Sequence, residues 1–192
     1  GTLTLPDALA LNAPALVNGA VLSAPKATSA TLKSSSVANL DVDTAASISL
    51  TEQADHFTIE SSDDFPSLTT LSVFGKDVTG VTTTTVAITA ATTLTTISTD
   101  GELSSLTVDA DAVTDLTTAG NLTDFSITAA AKLVNLTLGH TYISGDTAAT
   151  ISVTGAAKLT SLDMSQVTKV KTVTVTGNAK LATIVGPSAT VL

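Results

Sequence analysis

The chain has 192 residues, 43% of them apolar, which is one domain's worth of sequence with material for a core, but only 3% are aromatic and none is Trp. A formal charge of −9 with no Arg excludes the cationic surface on which nucleic-acid binding rests, and the lack of Cys excludes disulfide and thiolate chemistry. No apolar run approaches the ~18 residues of a membrane helix.

The predicted elements follow one rhythm, apolar-x-x-apolar-x-apolar. Copies begin at residues 6, 17, 27, 37, 45, 54, 68, 83, 94, 103, 113, 122, 133, 148, 159, 170 and 181. Those within 1–56 are degenerate, as in Val37..Leu40..Val42 and Ala45..Ile48..Leu50. Over 57–192 they sharpen: Leu68..Leu71..Val73, Leu103..Leu106..Val108, Leu122..Phe125..Ile127, Leu133..Leu136..Leu138, Leu159..Leu162..Met164, Val170..Val173..Val175. Residues 1–192 therefore read as a single repeat domain.

Within each copy the last two apolar positions are two apart, the period of a strand with one buried face. The first, three residues earlier, bends the chain into that strand. The 38 Thr, one residue in five, suit a pleated surface and oppose helix. Two kinds of linker alternate, such as Thr154-Gly-Ala-Ala-Lys158 and Thr176-Gly-Asn-Ala-Lys180 against Thr118-Ala-Gly-Asn121, so two units make one turn. Equivalent strands then recur at Val86, Leu106, Phe125, Ile151 and Val173, spacings of 20, 19, 26 and 22 residues around a coil of about 20 to 22. The expected fold is all-β: a parallel β-solenoid (β-helix) with two short strands per coil, about eight coils and no evident caps. Expected inward positions are Val86, Ile88, Leu94, Ile97, Leu106, Val108, Leu116, Phe125, Ile127, Leu133, Leu136, Ile151, Val153, Leu159, Leu162, Val173, Val175, Leu181 and Ile184.

With Thr176-Gly-Asn-Ala-Lys-Leu-Ala-Thr-Ile184, the Leu-x-x-Leu pattern resembles the leucine-rich-repeat-like coils of receptor L domains and of bacterial surface proteins of adhesin or filament type. The ladder of Asn that follows the strand in a true leucine-rich repeat is missing, which favours two sheets over a horseshoe.

Chemistry-bearing residues are sparse. His56 and His140 are 84 residues apart and neither has a catalytic partner beside it, and no nucleophile elbow, phosphate loop, dinucleotide fingerprint or zincin helix occurs, so the expectation is no enzyme. Asp109, Asp111 and Asp115 offer oxygens for Ca²⁺, as do Asp41 with Asp43 and Glu60 with Asp63 and Asp64, but the known calcium loops are absent. Otherwise no cofactor or metal is expected. Lys132, Lys158 and Lys180 should form a column at one corner.

One outward sheet face reads Ala87/Thr89, Thr107/Asp109, Ser126/Thr128, Ser152/Thr154 and Thr174/Thr176. Its members Thr107, Ser126, Thr128, Ser152, Thr154, Thr174 and Thr176 form a candidate binding face resembling the Thr arrays of β-solenoid ice-binding proteins. Asn121-Leu-Thr123 and Asn135-Leu-Thr137 match the glycosylation sequon. Charge is uneven: residues 41–124 hold fourteen carboxylates against Lys76, whereas residues 125–192 hold five Lys against two Asp. A chain opening on Gly1 reads as processed or excised from a longer one. Together these features give an extracellular, cell-surface structural protein pairing with itself coil on coil as the expectation, with an ice- or glycan-binding module as the alternative and no nucleic-acid or membrane-spanning role.

Overall fold

The computed structural model describes residues 2–13, 20–33, 37–53, 57–59, 65–75, 85–89, 91–139, 149–168 and 170–187. Every helix or strand element among them is a strand. In chain order these are β1 Thr2–Thr4, β2 Ala10–Ala13, β3 Ala20–Ser23, β4 Ser29–Lys33, β5 Val37–Asp41, β6 Ser47–Gln53, β7 Phe57–Ile59, β8 Thr70–Gly75 and β9 Thr85–Thr89. They continue as β10 Thr96–Asp109, β11 Asp115–Thr118, β12 Asn121–Ala129, β13 Asn135–Leu138, β14 Ala149–Thr154, β15 Ser161–Asp163, β16 Val170–Thr176 and β17 Thr183–Val185.

Successive strands alternate between two faces, and all neighbours pair parallel. One face is a long sheet ordered β2, β4, β6, β8, β10, β11, β13, β15, β17. The other consists of β7, β9, β10, β12, β14 and β16, with β1, β3 and β5 as a separate three-stranded sheet. β10 belongs to both: Thr96–Gly101 lies in the long sheet and Ser105–Asp109 in the second. The fold is thus a parallel β-solenoid with two strands per coil. Six turns, β7 to β17, wind between the long and the six-stranded sheet, and three more wind against the three-stranded sheet. The continuous two-sheet solenoid thus has about six turns where eight coils were expected, because β1, β3 and β5 pair apart from the other strands of their face among the described residues.

Register follows the predicted spacing. Val86, Leu106, Phe125, Ile151 and Val173 are consecutive partners. On the long sheet Leu11, Ala30, Ile48, Leu71, Ile97 and Leu116 form the equivalent column, and Leu162 pairs with Leu136 and Ile184 further on. The two sets pack into one continuous hydrophobic core. Of the expected inward positions, all those from Val86 to Leu162 are buried. Val173 and Ile184 are 37% and 52% exposed, however, because no coil lies beyond theirs among the described residues.

The first apolar residue of the motif has a physical role that differs between the two kinds of unit. In half of them it closes a β-turn at the corner leading into the long sheet: Ala27 N donates to Ala24 O, Ala45 N to Val42 O, Val113 N to Ala110 O, Leu133 N to Ala130 O, and Leu159 N to Ala156 O. Pro6, Pro25 and Pro66 occupy the second position of such turns, where their fixed φ fits. In Leu103..Leu106 and Leu122..Phe125 the same three-residue step lies inside β10 and β12, where four positions pass from one buried residue to the next with two half-buried or exposed residues between them. The chain bends there without leaving the extended state.

A stack of glycines forms the other corner. Gly75 and Gly101 are partners, and Gly120 and Gly139 follow on the next coils. A Cβ at Gly101 would strike the Gly75 carbonyl oxygen, and one at Gly120 the Gly101 backbone; Gly101 also has φ +73°. Only glycine lets consecutive coils approach there. Beside this corner Thr118 is buried, its hydroxyl accepting from Gly139 N at 3.1 Å.

Candidate interaction surfaces

Threonine builds the joints between coils. At the start of each long-sheet strand a backbone ladder runs from coil to coil: Thr28 N donates to Leu9 O, Ala46 N to Thr28 O, Thr69 N to Ala46 O, Thr95 N to Thr69 O, and Thr114 N to Thr95 O. Hydroxyls double it, Thr28 Oγ1 donating to Leu9 O (3.1 Å), Thr69 Oγ1 to Ala46 O (3.0 Å), Thr95 Oγ1 to Thr69 O (3.1 Å) and Thr160 Oγ1 to Val134 O (3.2 Å). Much of the Thr content is therefore spent on carbonyls of the preceding coil.

The candidate face on the six-stranded sheet is only partly assembled as expected. Ala87, Thr107, Ser126, Ser152 and Thr174 do stand in one column. The second column slips: Asp109 pairs with Ala129, which displaces Thr128, whereas Thr154 pairs with Thr176. Thr154 Oγ1 donates to Ile127 O and Thr89 Oγ1 to Ile59 O, both at 2.9 Å, so these hydroxyls already bind backbone. Thr128, Thr174 and Thr176 are exposed.

Sequence reasoning missed a more regular hydroxyl array on the long sheet. Ser29, Ser47, Thr70 and Thr96 stack in one outward column, and Thr31, Ser49, Ser72, Ser98, Thr117 and Thr137 in the next. The signal was present as Ser-Ala-Thr, Ser-Ile-Ser, Thr-Leu-Ser and Thr-Ile-Ser around the buried column, but it emerges only once the register aligns those triplets. The regularity ends between β11 and β13, where pairing begins at Thr117 with Thr137 and an open depression of about 450 Å³ is lined by Thr114, Asp115, Thr117, Val134, Asn135 and Thr137. Asn135 and Thr137 of the second sequon are exposed there.

The acidic candidates are not drawn together. Asp109 ends β10, Asp111 lies in the following turn with its Oδ1 accepting from Ala131 N at 3.2 Å, and Asp115 opens β11 with Oδ2 accepting from Thr114 Oγ1 at 2.8 Å. Among the described residues no three His, Cys, Asp or Glu gather as a metal site. His56, His140, Glu60, Asp63 and Asp64 lie outside the described residues. Asp163 is a separate case: the Ser165 backbone N–H, at 2.8 Å, and the Ser165 side chain hold its carboxyl below the usual carboxylate value.

Lys132, Lys158 and Lys180 do share one corner, each the third residue of its turn, and all are exposed. Asp7 and Lys26 occupy the same position on the first two coils, where Lys26 Nζ lies 2.6 Å from Asp7 Oδ1. The last described coil presents Val173 and Ile184 uncovered, with Val175 and Leu181 half-buried, and the first exposes Leu5 and Leu9. No helix among the described residues is long and apolar enough to cross a membrane. The geometry defines a two-sheet parallel β-solenoid; no family model, curated protein or solved structure matches the chain.

Proposed function

We propose that this chain is a non-enzymatic structural protein of the cell exterior, a subunit or segment of a surface filament, layer or adhesin that assembles by coil-on-coil stacking. The observation carrying the reading is the contrast within single columns: Leu136 and Leu162 are at most 1% exposed, while Ile184, next in register, is 52% exposed. Each coil is held to the next by parallel strand pairing and a shared apolar column, so a coil face of this kind is a template that parallel pairing fills. The Cys-free, Arg-free, Thr-rich composition supports an exterior location. Sedimentation velocity with negative-stain imaging over a dilution series tests the reading. Nine strands at ~4.8 Å per coil give a rod of about 43 Å, so assembly predicts rods in multiples of that length. A monodisperse monomer at all concentrations overturns it.

The second reading, an ice- or glycan-binding module, is favoured by the two hydroxyl columns of the long sheet. Thr31→Tyr and Ser72→Tyr place bulk on that array without touching the core. Thermal hysteresis or glycan-array binding lost in these variants supports the reading, and no signal from the unaltered chain removes it.

A further inference from the structure

We infer that the opening between β11 and β13 is a binding site for a neutral saccharide, held by Asp115, Asn135 and the backbone that the two strands leave unpaired at Thr114 and Val134. The inference rests on the glycan form of the second reading and adds the place, the residues and the charge of the ligand.

The opening is a fault in an otherwise regular joint. The ladder at the start of the long-sheet strands runs from Thr28 N on Leu9 O to Thr114 N on Thr95 O, and resumes with Thr160 N on Val134 O and Ala182 N on Thr160 O. At the step between, neither Val134 N nor Asn135 N donates to Thr114 O among the described residues, although Asp115 N and Thr183 N make the equivalent second bond on their own coils. The lack of a hydroxyl at Val134 is not the cause, because Ala46 and Ala182 lack one too and keep the backbone bond. β11 and β13 pair only from Thr117 with Thr137 onward, whereas the pairs on either side, β10 with β11 and β13 with β15, include Asp115 and Asn135. The slip between Val108 and Asp109 falls on the same two coils, one corner earlier. The strands part here, and inward-facing Leu116 and Thr118 line the opening along with the outward residues, so it enters the sheet instead of lying on it.

The chemistry of the opening selects the ligand. Its volume of about 450 Å³ falls among small-molecule sites, which span roughly 300 to 1,000 Å³. The missing bond leaves a carbonyl on one strand and an N–H on its neighbour, and a hydroxyl, which both donates and accepts, satisfies either. Asp115 adds acceptors, and the Asn135 amide adds donors with an acceptor. Asp115 is the sole ionisable side chain of the lining, so anions are repelled. Val134, 43% exposed, supplies apolar surface for C–H groups. Closely spaced hydroxyls on an uncharged ring that also carries C–H groups define a saccharide.

Amide hydrogen exchange tests the gap itself. Val134 N–H should exchange about tenfold faster or more than its ladder equivalents Thr114 N–H and Thr160 N–H, and equal protection overturns the inference. An array of neutral and uronate-containing oligosaccharides then supplies the probe, and titration calorimetry with the tightest neutral member compares variants. Asp115→Ala and Asn135→Ala should each raise Kd about tenfold, whereas Thr31→Tyr, on the hydroxyl columns four coils away, should leave it unchanged. Circular dichroism melts check that all three remain folded. Loss confined to the first two variants supports the inference. Any other pattern places the ligand elsewhere and overturns it while the glycan reading stands, as does binding of uronate-containing members alone. If no oligosaccharide binds the unaltered chain, the glycan reading fails and this inference with it.

Discussion

Leu136→Ala measures what a rung contributes. Leu136 is 1% exposed, pairs with Leu162 on the next coil and follows Leu116 on the previous one. Removing three carbons costs roughly 2.4 kcal/mol in transfer at about 0.8 kcal/mol per carbon. A cavity penalty adds to it, because the ladders Thr117 to Thr137 and Leu136 to Leu162 hold the coils at fixed spacing and the gap cannot close. The total should be about 3 to 5 kcal/mol, a large share of the ~5 to 15 kcal/mol that stabilises a domain. Ile184→Ala, on the same face of β17 but 52% exposed, should cost only about 1 kcal/mol in the unassembled chain. Urea unfolding followed by far-ultraviolet circular dichroism reads both from the midpoint at constant slope. Equal costs at the two positions would refute the idea that a coil is stabilised by the coils on either side of it.

Gly120→Ala should destabilise by more than about 2 kcal/mol or force the corner open, since its methyl would overlap the Gly101 backbone; thermal melting, with Ala119→Ser at the exposed neighbour as control, checks this. Thr69→Val removes the hydroxyl bond to Ala46 O and should cost about 0.5 to 1.5 kcal/mol, whereas Thr117→Val on the outward array should be near neutral in urea titration. Asp163 gives a signed pH effect. Its folded pKa is lowered by Ser165, so its stabilisation is present above the usual carboxylate value and is lost as pH falls through the lowered one. Asp163→Asn should therefore melt lower than the unaltered chain at neutral pH and converge with it in acid, and an unchanged gap across that range would count against the bond.

The repeat spacing made the stack of Phe125, Ile151 and Val173 legible in the sequence, because a period-two pattern with one buried face leaves little freedom of register once strands pair in parallel. Other features were hidden for definite reasons. The motif does not distinguish Leu133, which closes a turn, from Leu103, which sits inside a continuous strand, so β10 reads as two separate units although it crosses both faces. The glycine corner is invisible because Gly75, Gly101, Gly120 and Gly139 occur at unequal spacings of 26, 19 and 19 residues and align only in the stack. The slip between Val108 and Asp109 broke the expected second hydroxyl column, since one extra residue in β12 moves Thr128 out of line.

The abundance of threonine admits two accounts, and the structure separates them by position. Where a Thr precedes a strand, as at positions 28, 69 and 95, its hydroxyl reaches the preceding coil and reinforces a carbonyl that already accepts a backbone N–H. Those residues act on stability and offer little to a ligand. Where Ser or Thr lies in the strand itself, as at 31, 49, 72 and 98, register alone aligns the side chains outward in columns. Substituting the first set should therefore lower the melting temperature and leave any surface binding intact, while substituting the second should do the reverse. A single set controlling both would mean that the hydroxyl face and the coil joint are one structure.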